Sequence, residues 1–383
     1  MKGNSTITLN QSAVRNNVAF LRKKFGKNVT ISSVVKANAY GHCIEHLVPM
    51  LEKEGITHFS VFDFDEAVRV SKSLSSPQNI MIMGFIADNN IRKAINSGFE
   101  FYIFSLARLN IALEEAKELN IKAKIHIEVE TGMNRTGLNL QQLKQAITII
   151  NNNTQHLEIM GFCTHLAGAE SISNHLRIQR QLKWFYKLLK LVTDNNITPK
   201  YKHVANSAAS IVYPKTRMDL VRIGIMTYGF WSSAETFIQY ISTRKDKTDP
   251  LKRILDWKSQ VMSIKDILVG EFVGYGISYQ AQSPMKTALV PIGYSNGYSR
   301  SLSNKGQVLI NGKRCNIIGM VNMNMIIVDV TNTNNVKEGD EVVIIGNQDD
   351  LEIKVNAFSD SSNQLNYEVL SHLPIDIERI ITQ

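Results

Sequence analysis

The possible folds are limited most by a regular alternation of short apolar runs and amphipathic helical patterns over roughly the first 220 residues. Helical patterns occur at residues 14–25, about 42–53, 108–119 and 175–193. The runs with strand character lie at residues 29–35, 58–62, 79–83, 99–104, 123–129, 157–164, 201–204 and 218–223. Strand-helix repetition implies a parallel sheet, and about eight repeats close into a barrel. We therefore predict an N-terminal (β/α)8 barrel of the TIM type over residues 1–235.

Lys36 directly follows the first strand run, whose residues are largely β-branched. An ammonium group at the end of a buried strand is costly to desolvate, so such a lysine usually serves as an amine nucleophile or base with a lowered pKa. In the predicted barrel it lies at the C-terminal rim of the first strand, where these barrels carry their chemistry. Lys36 is therefore the first candidate for a catalytic residue.

The character of the sequence changes after Gly229. Residues 232–250 form a polar, charge-rich stretch that we interpret as a connector, and strand-like runs follow at 287–292, 307–310 and 325–330. Asn311 and Gly312 separate two short strand-like segments, and both tolerate the positive φ of a type I′ hairpin turn. We predict a C-terminal mainly-β domain over residues 236–383, and residues 1–10 are candidates to pair with it.

Composition excludes several classes of protein. With 383 residues, of which 44% are apolar, the chain suits one large and one smaller globular domain. Its 43 Lys and Arg against 34 Asp and Glu give a net charge of +9, but the basic residues are dispersed, so nucleic-acid binding is only a reserve interpretation. The cysteines match no metal or disulfide spacing. Without an apolar leader or membrane-length stretch, we expect a soluble, cytoplasmic protein that binds neither nucleic acid nor membrane.

Eight motifs lie at predicted strand ends or in loops along nearly the whole chain. They are Val35-Lys36-Ala37-Asn38-Ala39-Tyr40-Gly41; Glu130-Thr131-Gly132-Met133-Asn134-Arg135-Thr136-Gly137; Thr164-His165; His203-Val204-Ala205-Asn206-Ser207; Arg222-Ile223-Gly224-Ile225 with Tyr228-Gly229; Val273-Gly274-Tyr275-Gly276; Pro291-Ile292-Gly293-Tyr294; and Asn322-Met323. In this order they resemble alanine racemase, a pyridoxal-phosphate enzyme with a (β/α)8 barrel followed by a β-strand domain.

The resemblance implies an isomerase that interconverts L- and D-alanine by two-base proton transfer, with pyridoxal 5′-phosphate (PLP) as the electron sink. Lys36 corresponds to the Schiff-base lysine, which holds the cofactor and serves as base or acid on one face of the substrate. Tyr275 corresponds to the tyrosine on the other face, which in the family comes from the partner subunit. The resemblance therefore implies a head-to-tail homodimer with shared active sites, which would supply D-alanine for the bacterial cell wall.

The resemblance also assigns residues to the cofactor. Arg222 corresponds to the arginine that faces the pyridine nitrogen, where a cation with a pKa above ~12 keeps the ring largely unprotonated and should suppress transamination. Ser207, the backbone of Gly224 and Ile225, and the hydroxyl of Tyr40 correspond to the phosphate-binding groups.

Further correspondences concern the substrate and the surroundings of the ring. Arg135 corresponds to the arginine that bonds the cofactor phenolate and directs the substrate carboxylate, with the backbone amide of Met323 as its helper. Tyr294 corresponds to a tyrosine at the substrate entrance. His165 corresponds to the histidine beside the ring, and His203 to the one that orients the catalytic tyrosine. No metal ligand is implied.

Three residues depart from the family pattern. Glu128 stands where many members have a carbamylated lysine, and we predict that its carboxylate supplies the negative charge beside Arg135. Ile375 aligns, without a gap, with a tyrosine that bonds the phosphate and narrows the entrance. Asn324 replaces a frequent aspartate. Side chains larger than methyl are therefore open as substrates, and a broader amino-acid racemase acting on serine or basic amino acids is an alternative.

Other functions remain open on the sequence alone. His42, Glu45 and His46 fit the H-x-x-E-H spacing of inverted zinc metallopeptidases, although the pattern is short and needs a third ligand. A related PLP barrel enzyme would decarboxylate a basic amino acid, but it would lack the Gly-Tyr-Gly and Arg-x-Gly-Ile motifs. A non-catalytic cofactor-binding protein would normally end after the barrel.

Overall fold

The computed structural model describes residues 3–242, 244–362 and 366–383. Its strands are β1 Ser5–Asn10, β2 Thr30–Val34, β3 His58–Val61, β4 Asn79–Ile82, β5 Glu100–Ile103, β6 Ala123–Glu128, β7 Leu157–Cys163, β8 Tyr201–His203, β9 Leu220–Ile223, β10 Leu255–Gln260, β11 Ser263–Ile267, β12 Met285–Val290, β13 Gln307–Ile310, β14 Lys313–Asn316, β15 Ile326–Asp329, β16 Glu341–Gln348, β17 Leu351–Ile353 and β18 Glu378–Thr382.

The helices are α1 Gln11–Phe25, α2 Lys36–Tyr40, α3 Ile44–Lys53, α4 Phe64–Ser73, α5 Asp88–Asn96, α6 Leu106–Leu119, α7 Leu140–Asn151, α8 His175–Asp194, α9 Ser207–Val212, α10 Ala234–Ser242, α11 Val355–Ser362 and α12 Asn366–Ser371. Short 3-10 helices lie at Ile172–Asn174, Pro214–Thr216, Tyr294–Asn296 and Arg300–Leu302. No helix of the described ranges is both long and apolar enough to cross a membrane.

The chain divides into two compact units. One comprises residues 13–37 and 48–252, and the other comprises residues 1–12, 38–47 and 253–383. The domain boundary expected after residue 235 stays a prediction.

The unit of residues 13–37 and 48–252 contains an eight-stranded parallel sheet with the order β8-β7-β6-β5-β4-β3-β2-β9. The two end strands come together: the Asp219 amide donates to the Lys202 carbonyl (3.2 Å) and the Arg222 amide to the Ala205 carbonyl (3.0 Å). The sheet is therefore a nearly closed barrel, and together with the β-rich second unit it confirms the predicted fold class.

The two faces of the barrel strands differ in chemistry because successive side chains point to opposite sides. Apolar residues such as Phe101, Ile125 and Phe162 are fully buried on the helix side, where Phe162 packs against Phe185 of α8 at 5.3 Å between ring centroids. Each such burial contributes roughly 1.5–3 kcal/mol. The alternate positions carry buried polar side chains: Ser32, His58, Ser60, Glu100, His126, His203 and Arg222. The barrel interior is therefore unusually polar.

The second unit is built from two sheets. Its larger sheet has the order β14-β13-β16-β10-β1-β18, with β17 paired to β16, and the smaller has the order β11-β12-β15. Strand β1 pairs antiparallel with β10 and parallel with β18, while residues 1 and 2 lie outside the described part. Asn311 and Gly312, with φ of 45° and 70°, join β13 to β14, which confirms the predicted hairpin turn.

One expectation about local structure was wrong. Residues 232–250 are not simply a connector, because they include helix α10. In that helix Tyr240 stacks on Trp231 at 4.9 Å and meets the ring of Phe20 edge-on at 5.6 Å, so aromatic packing stabilises a segment of polar composition. The helix expected from about residue 42 begins at Ile44, after a turn in which Cys43 has a φ of 75°.

Candidate active site

Lys36 follows a firmly held strand end. The amide of Val35 donates to the Ser60 carbonyl (2.8 Å), and the hydroxyl of Tyr228 donates to the Val34 carbonyl (2.8 Å). These bonds fix the backbone immediately before Lys36 at the carboxyl end of β2, the barrel rim at which the prediction placed it.

The four residues after Lys36 have a left-handed backbone. Ala37, Asn38, Ala39 and Tyr40 have φ values of 53°, 52°, 54° and 49°. This conformation costs roughly 1–2 kcal/mol for each residue that carries a Cβ atom. Backbone strain of this kind persists where the surrounding fold imposes it, often at functional sites. The turn therefore marks the segment around Lys36 as a candidate site independently of any motif.

Lys36 has an amine suited to nucleophilic attack. Although the residue as a whole is exposed, desolvation lowers the pKa of its ammonium group, and the positive charge of Arg135 lowers it further, against a raising effect of Glu66. A lowered pKa increases the fraction of neutral amine, which is the reactive form.

Arg135 lies in a loop organised by one carboxylate. Glu130 accepts hydrogen bonds from the backbone amides of Gly132, Asn134 (2.8 Å) and Arg135 (3.4 Å). Gly137, with a φ of 118°, closes the loop, and a Cβ atom there would lie 2.6 Å from the Glu130 nitrogen. The exposed side chain of Arg135 thus projects from a loop whose backbone is fixed.

Arg222 is buried at the carboxyl end of β9 with most of its donors used. Its Nη1 donates to Nδ1 of His203 (2.5 Å) and to the His203 carbonyl (3.0 Å), while Nη2 donates to the carbonyls of Thr164 (3.0 Å) and Val204 (3.3 Å). Within the described ranges Nε makes no hydrogen bond. One N–H therefore remains for a ligand with an acceptor atom.

His165 joins Lys36, Arg135 and Arg222 in one electrostatic neighbourhood. Burial lowers the pKa of His165 to about 3, assisted by the positive charges of Arg222, Arg135 and Lys36. The imidazole is therefore neutral at physiological pH, and three predicted cations surround it.

Glu128 is buried at the end of β6 and interacts with the same cations. Burial raises the pKa of its carboxyl group, whereas a hydrogen bond with the Thr136 hydroxyl and the charges of Arg222 and Arg135 oppose that rise. The described residues contain no close ion pair between Glu128 and either arginine. Its predicted role beside Arg135 stays a prediction, supported by this electrostatic interaction.

Ser207, Gly224 and Ile225 meet where β9 ends and helix α9 begins. The Gly224 amide donates to the Ser207 hydroxyl oxygen (3.1 Å), which leaves the hydroxyl proton able to donate elsewhere. Asn206 caps the helix by accepting from the Ala209 amide (2.9 Å). These residues form a small cluster of neutral donors, the kind of environment that suits a phosphate group.

Tyr275 belongs to the second unit and lies in an exposed loop. Glycines on both sides have positive φ, 75° at Gly274 and 69° at Gly276, and the loop closes through a Val273 amide to Tyr279 carbonyl bond of 3.0 Å. The Tyr275 residue is 74% exposed. It is therefore displayed on a tight turn, away from the packed core of its own unit.

Tyr294 and Met323 also belong to the second unit and lie in two loops joined by hydrogen bonds. The Tyr294 amide donates to the Asn322 carbonyl (3.0 Å), and the Ser295 amide donates to the Met323 carbonyl (2.9 Å). Asn324 donates to the Ser295 hydroxyl (2.7 Å), so this departure from the family has a structural partner.

Two further residues of the second unit concern the predicted phosphate contacts. Tyr40 is buried, with its ring 5.9 Å from that of Tyr367, and Ile375 is 64% exposed. The predicted roles of Tyr40, Ile375, Tyr294 and Met323 stay predictions.

The residues of the alternative zinc motif have other contacts. Nδ1 of His42 lies 2.9 Å from the Tyr40 carbonyl, the Cys43 thiol donates to Glu45 (3.0 Å), and Nδ1 of His46 lies 3.3 Å from the same sulfur. Among the described residues, no group of three or more His, Cys, Asp or Glu is placed to hold a metal ion. His42 also precedes helix α3, so the helical spacing that the motif needs does not exist.

Sequence reasoning missed three residues of the barrel interior. Glu100 accepts hydrogen bonds from His58 (3.3 Å) and His126 (2.7 Å), and His126 in turn contacts His203 at 2.9 Å. One signal in the sequence could have found them. Successive side chains of a strand point to opposite faces, and each of these titratable residues occupies a position of a predicted strand that faces the barrel interior.

Comparisons with known proteins agree over almost the whole chain. Residues 9–231 match the family model of the alanine racemase N-terminal domain, and residues 254–381 match that of the alanine racemase C-terminal domain. An alanine racemase of Leptospira interrogans is 32% identical over 98% of this chain and 95% of its own length.

Two solved structures are similar in fold. An alanine racemase of Bacillus anthracis with bound L-Ala-P has a TM-score of 0.90 and 27% identity, over 99% of this chain and 95% of that chain. One from Bartonella henselae with covalently bound pyridoxal phosphate has a TM-score of 0.85 and 28% identity, over 99% of each chain.

Proposed function

We propose that this chain, which belongs to the alanine racemase family, interconverts L- and D-alanine and uses pyridoxal phosphate as its cofactor. The observation that carries the proposal is the amine of Lys36, which follows the first barrel strand, immediately precedes a strained left-handed turn and has a lowered pKa. The relatives with bound L-Ala-P and covalently bound pyridoxal phosphate support this substrate and cofactor.

The residues present fit the cofactor in three respects. Lys36 offers an amine for a covalent bond, Arg222 retains an Nε–H donor for the pyridine nitrogen, and the Ser207–Gly224–Ile225 cluster offers neutral donors for the phosphate. When bound, pyridoxal phosphate acts as an electron sink that makes the α-proton of an amino acid removable. Because its guanidinium group keeps its proton, Arg222 would leave the pyridine nitrogen of the bound cofactor largely unprotonated.

Arg135 and His165 complete the site on this unit. The exposed guanidinium group of Arg135, on a loop fixed by Glu130, is suited to bind the substrate carboxylate. His165 is neutral, so it packs beside the ring without adding a further positive charge. The predicted orientation of the catalytic tyrosine by His203 stays a proposal.

Racemisation needs a proton carrier on each face of the substrate. We assign Lys36 to one face and Tyr275 of a second copy of the chain to the other. The exposed position of Tyr275, beside exposed Phe272 and Ile277 in the same loop, supports a homodimer interface at this turn. The entrance roles of Tyr294 and Met323 and the phosphate contact of Tyr40 belong to the same proposal.

We also propose a cytoplasmic location and a role in supplying D-alanine for the cell wall. Cys43, Cys163 and Cys315 are all free and buried, which suits a reducing compartment.

The test of the function combines a product assay with chemical trapping. The purified, cofactor-loaded protein should convert L-alanine to a racemic mixture, followed by circular dichroism, and borohydride reduction with peptide mapping should place the cofactor on Lys36. Lys36→Arg should abolish both signals, whereas Lys72→Arg, at an exposed lysine of α4, should leave both unchanged. Attachment at another residue would contradict the assignment.

The width of the substrate range needs a separate assay. Ile375 is largely exposed, so a panel of L-amino acids that includes serine and the basic residues tests the broader alternative. D-product from serine at a rate near that from alanine would favour the broader racemase, and product from alanine alone would exclude it.

A further inference from the structure

A continuous series of hydrogen bonds crosses the interior of the barrel, and only its Arg222 end belongs to the groups assigned to the cofactor. It runs from Nη1 of Arg222 to Nδ1 of His203 (2.5 Å), from Nε2 of His203 to Nδ1 of His126 (2.9 Å), and from Nε2 of His126 to Oε2 of Glu100 (2.7 Å). All four side chains are at most 4% exposed. The series joins strands β9, β8, β6 and β5.

A second branch reaches the same carboxylate oxygen from the other side. Nε2 of His58 lies 3.3 Å from Oε2 of Glu100, Nδ1 of His58 lies 2.8 Å from the Ser32 hydroxyl, and that hydroxyl contacts the hydroxyl of Ser60. Glu100 is therefore the point where both branches meet.

The position of every proton in the Arg222 branch follows from its arginine end. A guanidinium group only donates, so Nδ1 of His203 must accept. A neutral His203 then carries its proton on Nε2 and donates to Nδ1 of His126, which in turn donates from Nε2 to Glu100. Burial followed by the charge of Arg222 lowers the pKa of His203 well below its usual value, and burial lowers that of His126, which keeps both rings neutral.

We propose that Glu100 is a positioning residue for racemisation, because its buried carboxylate, which only accepts, holds from the other end the same tautomers of His126 and His203 that Arg222 requires, and thereby helps to keep Arg222 in place. The effect of Glu100 on racemisation rests on the proposed function, whereas its effect on the histidine tautomers does not. If His126 turned its Nδ1–H toward His203, Nε2 of His203 would have to accept and its Nδ1 would carry a proton. Two donors, Nδ1–H and the guanidinium group, would then face each other, and Arg222 would lose this contact.

Two further observations support the assignment. Opposing effects act on the Glu100 carboxyl group: burial raises its pKa, but hydrogen bonds from His126 and His58 lower it below the ordinary range, so it remains an anion. Gly161 leaves the space that the His126 ring occupies, since a Cβ atom there would lie 2.0 Å from Nδ1. The barrel therefore keeps a negative charge on Glu100 at one end of the series and provides the space that the His126 ring occupies in its middle.

The first test uses the unmodified holoenzyme. In the protein labelled with ¹⁵N-histidine, the ring nitrogens of His126 and His203 should both show the neutral Nε2–H tautomer at pH 7. An Nδ1–H tautomer or an imidazolium ion at either residue would overturn the proposal, and this readout does not depend on any variant folding.

The second test separates positioning from a general effect on packing. Glu100→Gln removes the charge while keeping the size, and it should lower kcat roughly 10- to 100-fold with KM changed less than about twofold. It should also raise the ratio of transamination to racemisation, because a displaced Arg222 no longer keeps the ring nitrogen unprotonated. Ser60→Ala, at the end of the other branch, removes one equally buried hydrogen bond and should leave both quantities within about twofold.

The outcomes distinguish this proposal from the proposed function. If the wild-type protein racemises alanine and the Glu100→Gln variant has the same kcat and the same transamination ratio as wild type, the positioning role is refuted but the proposed function is not. If Glu100→Gln does not fold, the tautomers of the wild-type protein decide. A protein that shows the expected tautomers but racemises no amino acid would refute the function and, with it, the role of Glu100 in that reaction.

Discussion

Replacing Gly161 with alanine gives a sharp test of the barrel interior. The new methyl group would lie 2.0 Å from Nδ1 of His126 and 2.8 Å from its Cγ and Cε1, while real Cβ contacts stay beyond 3.0 Å. Strand β7 pairs with β6 and β8 on its two sides, so the backbone has little freedom and the ring must move by about an ångström.

The expected cost follows from two contributions. Overpacking a filled interior costs about 1–3 kcal/mol. Displacing the ring breaks at least one of its two hydrogen bonds, 2.9 Å to His203 and 2.7 Å to Glu100, and a buried partner left without its bond costs about 1–3 kcal/mol more. We therefore expect Gly161→Ala to destabilise this unit by about 2–6 kcal/mol.

The assay is a double-mutant cycle followed by thermal unfolding. His126→Ala removes the ring with which the methyl group collides, so Gly161→Ala should cost much less in that background, with an interaction energy of at least about 1 kcal/mol. At roughly 2–4 °C per kcal/mol, the single variant should lower the Tm by several degrees or more. Additive effects of the two substitutions would refute the collision and the close packing of the interior on which it rests.

Three other predictions concern catalysis and pH. Glu128→Gln should lower turnover roughly tenfold by removing the negative charge near Arg135, and an unchanged steady-state rate would contradict that role. Tyr275→Phe should impair proton removal from one enantiomer more than from the other, measured as exchange of the α-proton with solvent deuterium from each pure enantiomer, and equal loss for both would contradict the assignment. Burial lowers the pKa of His42 to about 4, below the ordinary value of 6.5 for histidine, so the folded state excludes a proton that the unfolded state binds. The contribution of His42 to stability should therefore be complete above pH 6.5 and fall by about 3 kcal/mol toward pH 4, and His42→Gln should flatten this part of the stability curve.

The barrel was predictable because its strands are short apolar runs between amphipathic helices. The run at residues 307–310 and the strand β13 coincide, and the barrel strands begin and end within two residues of the predicted runs. Buried parallel strands need apolar residues on the side that faces the helices, and this requirement is visible in the sequence as short apolar runs. Lys36 was recognisable for the same reason, since a charge at the end of such a run is exceptional.

The remaining features depend on tertiary contacts that local sequence does not encode. The polar composition of residues 232–250 suggested a connector. Helix α10 within this segment is stabilised by the ring of Phe20, which is distant in sequence, and by that of Trp231, which precedes the helix. The left-handed turn at Ala37–Tyr40 contradicts the intrinsic preference of alanine, so no propensity argument predicts it. Glu100 and the histidines bound to it were visible only as polar residues in strands, and their partners lie 26 to 77 positions apart along the chain.

The pairing of β1 with both β10 and β18 has a consequence for how the protein is made. Residues 5–10 are synthesised before the strands on their two sides, Leu255–Gln260 and Glu378–Thr382, which follow hundreds of residues later. During translation this early strand presents unsatisfied edges, a state prone to mispairing with other chains. Nascent-chain partners that shield such edges would therefore matter most before Glu378–Thr382 is made, and a delay in synthesising residues 255–382 should increase aggregation.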